Sequence, residues 1–198
     1  MPKKLRGRPR EFDRDEALAQ AMRVFWTLGY EAASMAELRS AMGITQASLY
    51  AAFRNKEQLF REAVDLYRRT AGTTTIRALE DNPTARESIE AMLRDAAEAF
   101  STTGRPAGCL VVLGTMNCSP ESKPVQDHLL AFRLKTPKAI AERIRRGQRE
   151  GDVSKHTDAD ALAAYYATVL HGLSIQARDG APRATLHSVV DCAMSTQW

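Results

Sequence analysis

Long apolar runs are missing from this sequence of 198 residues; none exceeds the seven residues of 161–167, and the run at 109–113 is five. A membrane span needs roughly 20, so no transmembrane segment is expected. Acidic residues 11, 13, 15 and 16 stand where a signal peptide would carry its apolar core, which points to a cytoplasmic protein. Cysteine is scarce. The three, at 109, 118 and 192, form neither a disulfide framework nor a zinc pattern. The four histidines (128, 156, 171 and 187) share no metal spacing, so no metal or other cofactor is expected. Metalloprotease, nucleophile-elbow, P-loop and dinucleotide motifs are all absent, which excludes the common enzyme classes and leaves no catalytic residue to name. Asp127 and His128 beside Cys118 do not rescue an enzyme, because adjacent residues on a helix diverge by about 100°. Strand-like alternation is lacking too.

What is present is helical periodicity and an unevenly placed charge. Residues 1–70 hold 13 Lys and Arg against 9 Asp and Glu, whereas residues 71–198 hold 15 of each. The whole surplus of +4 thus lies in the first third. Lys3, Lys4, Arg6, Arg8 and Arg10 follow one another with no acid between them, a footprint of nucleic-acid binding. The chain divides into a basic arm (1–10), a first helical unit (11–70) and a second (71–198).

Four helix-start signals crowd the first unit, at Asp13, Ser34, Thr45 and Asn55. Ser34 with Glu37 has the form of a capping box, and Gly29 and Gly43 supply stops. One long helix, two short ones and another long one follow. In the second unit the periodicity predicts helices over about 83–103, 122–150, 158–178 and 182–198, with Pro137 threatening a kink in the second. The fold class is all-α, with about nine helices.

A short helix, a turn at Gly43-Ile44 and a second short helix is the spacing of a helix-turn-helix. The second helix of that motif lies in the major groove and leads with its N-terminal residues. Thr45, Gln46, Ala47 and Ser48 form that leading turn here, Tyr50 follows, and Leu49 and Phe53 fall on the inward face. Lys56 opens the next helix, where its charge and free backbone N–H groups suit a phosphate. These residues, with Gly29-Tyr30, Ser34 and Glu37, Ser48-Leu49-Tyr50, and Lys56-Glu57-Leu59-Phe60, resemble the DNA-binding domain of the TetR family of bacterial transcriptional regulators. The resemblance implies a homodimer that reads a palindromic double-stranded operator. It also implies a C-terminal domain holding an effector pocket and the dimer interface. Matched position by position, Ser34, Thr45, Gln46, Ala47, Ser48, Tyr50 and Lys56 fall where DNA contacts are made. Ala51 and Ala52 depart from the family, which often has an aromatic residue and a histidine there. Arg6-Gly7-Arg8-Pro9 is similar to the core of an AT-hook, so Arg6, Arg8 and Arg10 are expected in a minor groove.

For the effector, Phe100, Leu110, Leu113, Met116, Leu129, Phe132, Tyr165 and Tyr166, with Cys109, are the candidate lining of an apolar pocket. Residues 158–178 and 182–198 suit a dimer-forming bundle. The expected function is a repressor released from its operator by a small molecule. The alternatives are a constitutive architectural DNA binder and a thiol-based sensor using Cys109 or Cys118, which would need a lowered thiol pKa.

Overall fold

The computed structural model describes residues 12–72 and 74–198, so the arm, with Arg6, Arg8 and Arg10, lies outside them. The described residues form helices joined by loops, with no strand among them. The order is α1 (Arg14–Ala32), α2 (Met35–Met42), α3 (Gln46–Phe53), α4 (Lys56–Arg69), α5 (Thr74–Asp81) and α6 (Ala85–Phe100). Then come α7 (Leu110–Leu113), a 3-10 turn (Pro120–Ser122), α8 (Lys123–Arg133), α9 (Lys135–Glu150), α10 (Ala159–Arg178) and α11 (Arg183–Met194). None of these helices is long and apolar enough to cross a membrane.

All four expected start signals are N-caps. The Asp13 carboxylate accepts from the backbone N–H of Asp15 and Glu16, Thr45 from Ser48, and Asn55 from Gln58. Ser34 and Glu37 complete their capping box. Gly43 ends α2 in the left-handed region (φ 64°), where a side chain would be strained. Regular helix in α1 ends at Gly29 as expected (φ 79°, ψ 175°), although helical geometry resumes as far as Ala32.

Two expectations need correction. Helix α5 was unforeseen. The helix expected over 122–150 is two, α8 and α9, meeting at Leu134. Pro137 has no N–H to offer the Arg133 carbonyl, so it sits in the first turn of a new helix, where that bond is not required. The helix count therefore exceeds nine.

Two hydrophobic cores result. The first is built by α1 to α4 around Phe25, Phe53, Leu59 and Phe60, all fully buried. Phe25 meets Phe60 edge-on at 4.9 Å, and Trp26 meets Tyr67 likewise at 4.7 Å. This core also takes in Leu110, Val125 and Leu129 from α7 and α8. The second joins α5, α6, α9, α10 and α11 through residues such as Ile89, Leu93, Ile144, Leu173 and Val190. Tyr166 is fully enclosed in it, with its hydroxyl accepting from the Trp198 indole N–H at 2.7 Å.

The segment between α6 and α8 ties the two cores together. Its carbonyls at Gly104, Gly108 and Gly114 accept from the Arg23 guanidinium (3.1 Å), the Trp26 indole (3.1 Å) and the Tyr30 backbone N–H (2.7 Å). From α10, Arg178 donates to the Trp26 and Thr27 carbonyls. From α4, Arg61 donates to the Pro124 carbonyl at 3.1 Å.

Candidate functional site

Helix α3 has eight residues, and an isolated helix shorter than roughly 12–15 residues is marginal in water. It is held by burying Leu49 and Phe53, which are 1% and 0% exposed. Each such side chain contributes on the order of 1.5–3 kcal/mol. Ile44 packs against the same core from the turn. The opposite side of α3 is bare: Thr45, Gln46, Ala47 and Tyr50 are exposed. Ser48 is half-buried, and the Thr45 hydroxyl donates to its Oγ at 3.0 Å, so these two hydroxyls are already oriented. Gln46 shares a shallow depression with Met35 and Arg39 of α2.

Around this helix stand the positions expected to meet phosphates. Ser34 is exposed at the N-cap of α2. Lys56 starts α4 with its Nζ 4.6 Å from the centre of the Tyr30 ring and donating to the Glu31 carbonyl at 3.3 Å. Burial pushes its pKa down, with Glu31, Cys118 and Glu37 opposing. An ammonium carries three donors, so two remain for a phosphate, in a head group fixed by Tyr30.

Two exposed arginines near α3 escaped the sequence reading. Arg39 lies on α2, and Arg54 caps the C-terminal end of α3 with φ 63°. Their signal was faint, since no cap or pairing pattern marks either. At the unusual Ala51-Ala52 pair, Arg14 of α1 donates to the Ala52 carbonyl at 3.3 Å. It lies over the Phe53 ring at 4.4 Å and pairs with Glu62 at 2.6 Å. A guanidinium from another helix thus occupies the end of α3.

A cavity of about 350 Å3 lies where the two cores meet, between α4, α6, α7, the α8–α9 bend and α10. Three of the expected lining residues are there: Phe100, Cys109 and Phe132. The others are not. Leu110 and Leu129 are buried in the first core and Tyr166 in the second. Leu113 is half-buried and does not line the cavity. Met116 and Tyr165 are exposed, at 58% and 42%. Tyr165 and Tyr166 are neighbours on α10 and so point apart by about 100°. The residues missed include apolar Val111, Val112, Ala139 and Leu170, the cations Arg68, Arg133 and Lys135, and His171.

At the cavity wall the Tyr67 hydroxyl and the Cys109 thiol are near enough to influence each other's titration. Burial pushes the Cys109 thiol up, and burial followed by Glu31 pushes Cys118 up. Both directions run against the lowered pKa that a sensing thiol requires. Burial and then Arg133 push His171 down, so its imidazole is held neutral. No cluster among the described residues has the make-up of a metal site.

Comparison with known proteins agrees with this layout. The family description "Bacterial regulatory proteins, tetR family" fits residues 17–63, and "Tetracyclin repressor-like, C-terminal domain" fits residues 85–189. The chain is 34% identical over 180 residues to the HTH-type transcriptional repressor ComR of Escherichia coli (strain K12), covering 90% of this chain and 86% of that one. It is 30% identical to the HTH-type transcriptional repressor BdcR of the same strain, covering 88% and 83%. Among solved structures, a cysteine mutant of the TetR family transcriptional regulator CifR, complexed with a 26 bp double-strand operator DNA, superposes with a TM-score of 0.93. That protein is 47% identical, and the match covers 96% of this chain and all of the other.

Proposed function

This chain belongs to the TetR family of bacterial regulatory proteins, and on that premise we propose that it is a repressor whose operator complex is dissolved by a small molecule seated in the cavity between the two cores. It is a DNA-binding transcriptional regulator, proposed to act as a homodimer. The single observation that carries the release mechanism is the position of residues 104–114. Their carbonyls hold α1, while Cys109, Val111 and Val112 of the same stretch wall the cavity. A molecule that shifts this stretch must shift the DNA-reading head with it. Thr45, Gln46, Ala47, Ser48 and Tyr50 are proposed to enter the major groove, with Ser34 and Lys56 on phosphates. The seam of the dimer is proposed on α10 and α11, where Tyr165, Ile175 and Val189 stay exposed. The place of action is the cytoplasm, where the DNA lies.

Selection of fragments of the source genome by the full-length protein tests this reading. Two half-sites related by a two-fold axis should emerge, bound by dimers of the 21.9 kDa chain in sedimentation. Ala139→Trp, which fills the cavity from α9, should keep operator binding and abolish release by whatever compound releases the wild type. Monomeric binding without a palindrome, or release undiminished by the filled cavity, would reject it.

A further inference from the structure

The cavity's charge is one-sided. Arg68, Arg133 and Lys135 line it together with His171, and among the described residues no carboxylate does. Arg133 and Lys135 come from residues 71–198, which as a whole hold 15 charges of each sign, so their concentration here is local. Arg133 is the telling member. It is half-buried, and burial pushes its pKa down. Its Nη1 donates to the Val111 carbonyl at 3.0 Å, which fixes the guanidinium plane against α7. Among the described residues it has no ion-pair partner, and its other nitrogens find no protein acceptor. Arg68 has only an exposed carboxylate, Asp65, 4.0 Å from its Nη1, and it stacks on Phe132 at 3.9 Å. Lys135 lies 5.3 Å from the same ring.

A partly desolvated cation without a counter-ion costs free energy that an incoming anion recovers. The remaining wall is apolar: Phe100, Val111, Val112, Phe132, Ala139 and Leu170. Its volume, about 350 Å3, is at the small end for ligand pockets. We propose that the effector is a small apolar molecule bearing one carboxylate, with Arg133 and Lys135 holding the carboxylate and the aromatic and aliphatic wall holding the rest. Arg133 supplies a planar fork that a carboxylate matches in two bonds, and Lys135 supplies a point charge. This assignment rests on the cavity being the effector site proposed above.

The test uses the full-length dimer and a matched panel: benzoate, phenylacetate, 3-phenylpropionate and octanoate, each beside its primary amide, at constant ionic strength. At least one acid should bind about tenfold or more tighter than its amide, the share expected of a charge-assisted contact. It should also displace operator DNA. Lys135→Gln should weaken the acid more than the amide and so shrink the acid-to-amide ratio. Arg133→Gln should abolish the ratio, and Arg133→Lys should restore part of it, which separates lost charge from a disturbed fold. Amides binding as tightly as acids would overturn the assignment, as would no acid binding below about 1 mM. Acids that bind with the expected preference but leave the operator complex intact would uphold the anion site and defeat the release mechanism instead.

Discussion

The buried indole N–H of Trp26 donates to the carbonyl oxygen of Gly108, 3.1 Å away and 82 positions later in the chain. The bond joins the first core to the segment that walls the cavity, in a region closed to water. Trp26→Phe keeps an aromatic ring against Tyr67 but orphans the Gly108 carbonyl. The expected loss is about 1–3 kcal/mol, the cost of a buried unsatisfied acceptor. Chemical denaturation measures it. Operator affinity of the folded variant should change little, while release by effector should be blunted.

Gln46 and Lys56 should fail in different ways. If Gln46 reads a base edge, as proposed, Gln46→Ala should cost about 1–3 kcal/mol at particular base pairs and relax preference there. Lys56→Ala should weaken binding to every sequence and lower the salt slope by about one. Titrations on the operator and on single-base variants, at several salt concentrations, distinguish the two.

The arm makes its own prediction. Deleting residues 1–10 removes five positive charges, so the salt slope should fall by up to about four or five. Preference for A·T pairs flanking the operator should vanish with it. A truncated protein that keeps both the slope and the preference would reduce the arm to a solvated tail.

Two histidines predict how stability follows pH. Burial, and then Arg133, lowers the pKa of His171; burial, and then Arg61, lowers that of His128. In the unfolded chain both should titrate near 6.5. Above that value neither state takes up a proton and their contribution is complete. As pH falls through it, the unfolded chain binds protons that the folded one refuses, so stability declines. The decline levels off below the depressed folded values. Thermal melts between about pH 7 and pH 5 should show this slope, and His171→Gln should flatten it.

The sequence was most readable where a local rule decides the backbone. Ser34, Thr45 and Asn55 cap helices because their side chains serve their own next turn, and such a signal needs no knowledge of the fold. Helix α5 was hard to read because it has only eight residues, and its apolar Ala78 and Leu79 gain meaning only against the second core. The cavity was illegible for a stronger reason. Arg68, Arg133 and His171 come from α4, α8 and α10, and no spacing in the chain brings them together. Conversely, Leu129 and Tyr166 read as pocket residues because apolar faces on core helices and pocket helices share one pattern; packing alone assigned them to cores.

The ties from Gly104, Gly108 and Gly114 to α1 all use main-chain carbonyls as acceptors. Every residue type carries that carbonyl, so the coupling does not depend on which side chains the neighbouring wall displays. Substitution at Val111, Val112, Phe132 or Lys135 can alter what the cavity admits while the mechanical path to the DNA-reading head stays the same. With the effector in this cavity, as proposed, effector choice and signal transmission would be separable traits in this chain, and a descendant could acquire a new inducer by changing a handful of side chains without rebuilding its response.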